Sequence, residues 1–328
     1  MSTHHTPLPT PTRATLGAAL AITTLAACQA KTDDRAAKAA DSAAAPVAAA
    51  PAATKVGTVE GFKTPESVRY DADQDVFFVS NINGNPSAKD GNGFIARVKA
   101  GDATVDSMMF IAGGRGGVTL NAPKGMAIQG DTLWVADIDA VRGFNRRTGK
   151  LVASVDFGRM KAMFLNDVAV GGDGAIYITD TGVRIGNPDA DKQPRGDKVF
   201  RLAGRTATVA VRGEALAKPN GIAWDAGSKR FIIGPFGSPS LMTWVPADSA
   251  PAVLASGPGQ YDGVEVLPDG RLLVTSWADS SVWSYRGTTP TRLISGVNAP
   301  ADIGIDTRRR RVAVPLFLDS RVELYEIP

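Results

Sequence analysis

The chain has 328 residues, 44% apolar and 21% charged, with a formal net charge of +3. So small an excess argues neither way on nucleic acid, but no stretch interleaves basic and aromatic residues as a nucleic-acid groove requires, so no nucleic-acid partner is expected. No apolar run is long enough to cross a bilayer, so no transmembrane segment is expected.

Residues 1–27 read as a secretory signal. Arg13 supplies the positive charge, and the apolar run from Leu16 to Ala27 is too short to span a bilayer and ends in small residues. Leu25-Ala26-Ala27-Cys28 resembles the bacterial lipoprotein box, whose Cys becomes the lipidated first residue of the mature chain. Cys28 is also the one cysteine in the sequence. Gln29 follows it rather than Asp, which in that resemblance implies sorting to the outer membrane, with the protein in the cell envelope on the periplasmic face. Membrane contact is then through the lipid anchor only. Residues 28–54 are rich in Ala, Pro, Lys and Asp and hold nothing aromatic to pack, so they read as a tether, with Pro46 and Pro51 interrupting any helix. Residues 55–328 remain as the folding unit.

That unit repeats. Pro65-Glu66-Ser67-Val68, Pro123-Lys124-Gly125-Met126, Leu165-Asn166-Asp167-Val168, Pro219-Asn220-Gly221-Ile222, Tyr261-Asp262-Gly263-Val264 and Pro300-Ala301-Asp302-Ile303 share one form, about 40 to 60 residues apart. Each opens a strand. A turn follows, such as Gly172-Asp173-Gly174 or Pro268-Asp269-Gly270, and then a short β-branched and aromatic run such as Val76-Phe77-Phe78-Val79 or Ile176-Tyr177-Ile178. Third strands are clearest at Val199–Leu202, Val282–Tyr285 and Val322–Tyr325. Four short strands per repeat are the signature of a propeller blade, so the expected fold is an all-β, six-bladed β-propeller. The last copy lacks room for a fourth strand. Lys55–Glu60 has a strand pattern and no partner in its own repeat, so it is expected to complete the sixth blade and close the ring, leaving no exposed sheet edge.

In a propeller the first strand of each blade lines the channel, so equivalent positions form a ring: Glu66, Lys124, Asn166, Asn220, Asp262 and Ala301. Two carboxylates and two carboxamides at one height are hard oxygen donors, a ligand set for Ca²⁺ or another hard divalent ion. Asn-Gly and Asp-Gly are also common turn dipeptides, and an ion in the channel can be structural. Pro-Glu in the first blade, Asn-Asp in the third, Pro-Asn-Gly in the fourth and Asp-Gly in the fifth resemble the senescence marker protein/gluconolactonase (regucalcin-like) family of six-bladed propellers. The resemblance covers about residues 55–328. It implies a divalent metal on Glu66, Asn166, Asn220 and Asp262, with Ca²⁺, Mn²⁺, Mg²⁺ or Zn²⁺ as the ion, and hydrolysis of a lactone or related ester. The chain departs from the family's sugar-lactone hydrolases at Phe164, where they carry an Arg. Lys124 is open to two readings: stabilising a developing oxyanion, or pairing with Glu66 or Asp262.

Both histidines, His4 and His5, lie in the expected signal. The mature chain then cannot run Ser-His-Asp or other His-dependent hydrolysis, and metal with carboxylate must carry any catalysis, Asp262 helping to activate water. The end of each second strand returns to the face where the first began. That places Asn81, Asp137, Asp180, Phe236, Trp277 and Phe317 around the mouth, with Asn81, Asp137, Asp180 and Trp277 as substrate-binding candidates and the aromatics as substrate walls or inward-turned core. Loops 81–93 and 180–197 are long enough to be lids or plain solvated loops. Arg308–Arg311 reads as a solvated turn on the opposite face, with anionic lipid or polymer as the alternative. The expected protein is a monomeric, lipid-anchored propeller that hydrolyses a lactone or ester. The alternative is a non-catalytic propeller that binds a ligand or protein, with a structural ion.

Overall fold

The computed structural model describes residues 52–183 and 196–328. The signal, Cys28 and most of the tether lie outside the described residues, as does the greater part of loop 180–197. The described residues belong to one compact unit of six antiparallel four-stranded sheets, with no α-helix among them.

Blade 1 is β2 (Pro65–Asp71), β3 (Val76–Asn81), β4 (Phe94–Lys99) and β5 (Val105–Ala112). Blades 2 to 5 repeat that plan from their inner strands β6 (Pro123–Gln129), β10 (Leu165–Val170), β14 (Pro219–Asp225) and β18 (Tyr261–Val266). Blade 6 is β22 (Gly304–Asp306), β23 (Arg311–Leu316) and β24 (Arg321–Glu326), completed on the outside by β1 (Thr54–Val59). The expected closure is thus present: β1 pairs antiparallel with β24, Val59 opposite Val322, with a bulge between Lys55 and Gly57.

The apolar runs in the middle strands are continuous because each face of a blade packs on a different neighbour. In β3, Phe77 and Val79 point into the core shared with blade 6, beside Ala313 and Leu324. Phe78 points the other way, against Met126, Leu133 and Val135 of blade 2. This is the two-residue period of a strand buried on both sides. Equivalent cores lie between every other pair of neighbours, such as Tyr177, Phe231 and Trp244 between blades 3 and 4. Burial fades outward: β9 (Leu151–Asp156) and β17 (Ala252–Ser256) are largely exposed.

Two details position the site. The inner strand of blade 6 is shorter than the repeat suggests, because its start pairs sideways: Asp302 N donates to Glu66 O, and Val68 N to Asp302 O. The inner strands also approach each other too closely for side chains at certain points. A Cβ on Gly221 would sit 2.1 Å from Asp262 O, one on Gly263 2.7 Å from Ile303 N, and one on Gly125 2.5 Å from Asp167 Cα. Asn220-Gly221 and Asp262-Gly263 therefore belong to inner strands, not turns. The arginine run on the opposite face is more engaged than a solvated turn: Arg309 pairs with Asp75 at 2.7 Å and Asp306 at 2.8 Å, tying blade 6 to blade 1.

Candidate functional site

The ring of equivalent positions converges as register demands. Glu66, Lys124, Asn166, Asn220 and Asp262 form the floor of a cavity of about 380 Å³. All five are buried, Lys124 almost completely. Ala301, the sixth position, is buried and contributes no polar side chain.

Burial, then the negative charge of Asp262, push the Glu66 carboxyl well above its usual range, with Lys124 offsetting part of the effect. Burial, then Asp302, push Asp262 up likewise, offset by Trp277 and Asn220. The Trp277 N–H nevertheless falls short of a formed hydrogen bond. Burial pulls the Lys124 ammonium down to about 8 against the pull of Glu66 and Asp137. Lys124 Nζ donates to Ala122 O at 2.9 Å and lies 4.2 Å from the centroid of the Phe164 ring. It makes no ion pair within 4 Å among the described residues, so the expected alternative of direct pairing with Glu66 or Asp262 is not what the structure contains.

Glu66 Oε2, Asn220 Oδ1 and Asp262 Oδ1 are buried without hydrogen-bond partners. Orphaned buried oxygens are costly, and three facing one cavity fit a hard cation better than an apolar ligand. The Asn166 carboxamide can add a fourth. Thr181 Oγ1 donates to Pro219 O and so must accept from Asn166 Nδ2, which leaves the carboxamide oxygen for a ligand. Half of this donor set is carboxamide. No group of three or more His, Cys, Asp or Glu that could hold a metal occurs among the described residues.

A second polar layer, not anticipated as a unit, lies one to three residues further along the inner strands. Arg69 is bonded to Glu265 and lies 3.8 Å from Asp302. Ser67 Oγ donates to Asp302 Oδ2, and Asp167 accepts from the backbone N–H groups of Ile222 and Val168. Burial pushes Asp167 up to about 7 despite Arg69 and those amides. Its sequence signal is an acidic residue directly after a ring position, Asp167 after Asn166 and Asp302 after Ala301.

The wall differs from the expected one. Asn81, Asp137 and Asp180 do not line the cavity. Asn81 Oδ1 accepts from Lys63 N at 2.8 Å. Asp137 accepts from Asn121 N and Ala122 N and pairs with Arg142 at 2.7 Å. Asp180 accepts from Phe164 N and Gly182 N. Each clamps backbone at or near the entry to the first strand of its own blade, holding the ring residue in place. The positions equivalent to Phe236, Trp277 and Phe317 are instead Ile82, Ile138 and Thr181: Ile82 N donates to Thr64 O, Thr181 N to Phe164 O, Phe236 N to Lys218 O and Trp277 N to Gln260 O. A one-residue offset turns a side chain to the other face, which is why the first three candidates point away. Trp277 does line the cavity and packs between Phe236 and Phe317, with centroids 5.7 and 5.4 Å away. Pro86 of loop 81–93, Val183, Phe164 and Lys218 complete the lining.

Fold and cavity together define a six-bladed β-propeller whose inner strands present a polar floor beneath an apolar mouth. A family profile described as the SMP-30/Gluconolactonase/LRE-like region matches residues 64–304, and the chain belongs to that family. No curated protein matches the sequence. Among solved structures, a gluconolactonase of Xanthomonas campestris is similar at 16% identity and a TM-score of 0.60, covering 85% of this chain and 96% of that one. A structure described as a putative gluconolactonase is similar at 16% identity and a TM-score of 0.61, covering 84% of this chain and 94% of that one. At such identity the likeness is one of fold.

Proposed function

We propose that the protein is a lactonase-like hydrolase that depends on a divalent metal held by Glu66, Asn166, Asn220 and Asp262, with Ca²⁺ the favoured ion. The observation that carries this reading is the convergence of the unpartnered oxygens of Glu66, Asn220 and Asp262 on one cavity, in a chain of the SMP-30/gluconolactonase family.

When bound, the ion supplies Lewis acidity toward the acyl oxygen of the substrate. The remaining chemistry falls to the chain. Asp262 takes a proton from the attacking water. Lys124 spends one proton on Ala122 O and has others to offer the oxygen that becomes negative. The clamps at Asn81, Asp137 and Asp180 fix the backbone that carries these groups, and the aromatic mouth limits bulk water. Over the reaction the ring acyl C–O bond breaks and the water oxygen bonds to the acyl carbon. The departing alkoxide takes one proton, and the other leaves as the acid ionises.

The test is pH-stat hydrolysis of a panel of lactones by the full chain, with and without a chelator and after re-addition of Ca²⁺, Mn²⁺, Mg²⁺ or Zn²⁺. Turnover that disappears with chelator and in Glu66→Gln and Asp262→Asn supports the reading. Ligand binding without turnover by any metal form would favour the non-catalytic propeller.

A further inference from the structure

The floor and the wall of the cavity differ sharply in what they can bind. In the wall register, Ile82, Phe236, Trp277 and Phe317 offer apolar surface, and the Thr181 hydroxyl is committed on both sides, to Asn166 and Pro219. Phe236, Trp277 and Phe317 stay partly exposed although Trp277 meets Phe236 edge-on and Phe317 at a tilt. Partly exposed aromatics side by side, beside a buried polar floor, are surface that a ligand would cover. The Lys124 ammonium lies against the Phe164 ring, 4.2 Å from its centroid. Besides the floor residues, Thr181 and Lys218 are the residues with polar side chains other than Trp277 that line the cavity among the described residues.

We propose that this site selects lactones carrying an alkyl or aryl substituent over polyhydroxylated sugar lactones, the substituent lying on the Phe236–Trp277–Phe317 surface while the acyl group meets the polar floor. The inference rests on the lactonase reading above and uses the same ring opening by water. A sugar lactone would bring several hydroxyls against rings that cannot hydrogen-bond them, and each hydroxyl left without a partner on burial costs binding. An alkyl chain loses nothing there, and each methylene placed in an apolar pocket is worth roughly tenfold or more in kcat/KM.

The experiment compares kcat/KM for glucono-1,5-lactone, unsubstituted δ-valerolactone, 5-pentyl-δ-valerolactone and dihydrocoumarin, using the full chain with whichever metal gives turnover. Preference for the pentyl lactone or dihydrocoumarin over the sugar lactone by at least about tenfold, the gain of a single well-placed methylene, is expected. Phe236→Ser and Phe317→Ser should each lower kcat/KM for the pentyl lactone by about tenfold, acting through KM, with under about threefold change for δ-valerolactone. That substrate-dependent split separates a wall contact from general damage to the fold, which would lower both alike. Equal or better turnover of glucono-1,5-lactone overturns the inference and leaves the lactonase reading standing. Absence of turnover with all four lactones and every metal overturns both.

Discussion

Gly221→Ala tests whether the inner strands approach as closely as the structure requires. The added Cβ would lie 2.1 Å from Asp262 O and 3.0 Å from Val264 N, both backbone atoms of the neighbouring blade. An ordinary contact needs about 3.5 Å, so β14 and β18 must part by more than an ångström inside a closed ring. Overpacking costs 1–3 kcal/mol and sometimes more; with backbone on the receiving side the upper end applies, about 3 kcal/mol. For a domain of this size about 2 °C is lost per kcal/mol, so Tm should fall by about 6 °C. Gly174→Ala is the control. Gly174 occupies a turn at φ +74°, and a Cβ added there would meet nothing within 4 Å, so only the left-handed backbone penalises Ala, by about 1 kcal/mol or 2 °C. The assay is differential scanning calorimetry at one scan rate. If the two variants melt together, or Gly221→Ala melts like the parent, the close approach at the ring is wrong.

Removing Thr54–Val59 should bare the edge of β24 and open the ring, giving a lower Tm and soluble aggregates on size-exclusion chromatography; a truncated protein that stays monomeric and melts like the parent would contradict closure by β1. In chelator, stability should fall as pH rises from about 4 to 7. Glu66, Asp262, Asp302 and Asp167 all have native pKa values above their unfolded ones, so their contribution is fully present below the unfolded values and is lost as pH rises through the native ones, Asp167 near about 7. Asp75 has the opposite sign: the Arg309 pair holds it down at about 2, so its contribution is lost only as pH falls toward that value. Thermal melts across this range read the slope, and a chelated protein whose Tm rises from pH 5 to pH 7 would refute it.

The ring of Glu66, Lys124, Asn166, Asn220 and Asp262 was legible because a repeat turns equal register into equal height, and the Pro-Asn-Gly and Asp-Gly motifs mark that register in the chain itself. Closure by residues 55–60 followed from counting strands. The wall was legible only in part. Phe236, Trp277 and Phe317 stood out as large aromatics after a strand, but Asn81, Asp137 and Asp180 drew attention as polar residues one position too early, and the two-residue period sent them to the other face. Their work as backbone clamps depends on contacts with Lys63, Ala122 and Phe164, many residues upstream, which no local pattern announces. The steric reason for Gly221 and Gly263 also lies in the neighbouring blade, and Asn-Gly and Asp-Gly are by themselves equally turn dipeptides. The sideways pairing of Asp302 with Glu66 and Val68 shortened the last inner strand for the same reason: it is a contact between the two ends of the ring.

Calorimetric titration of Ca²⁺ into the chelated full chain, beside Glu66→Gln and Asp262→Asn, tests the proposed ion site most directly. One ion per chain is expected for the parent, with affinity rising with pH as the two buried carboxyls lose their protons, and neither variant should bind. Absence of binding by Ca²⁺, Mn²⁺, Mg²⁺ and Zn²⁺, or binding that both variants retain, would contradict the assignment of the ion to this ring.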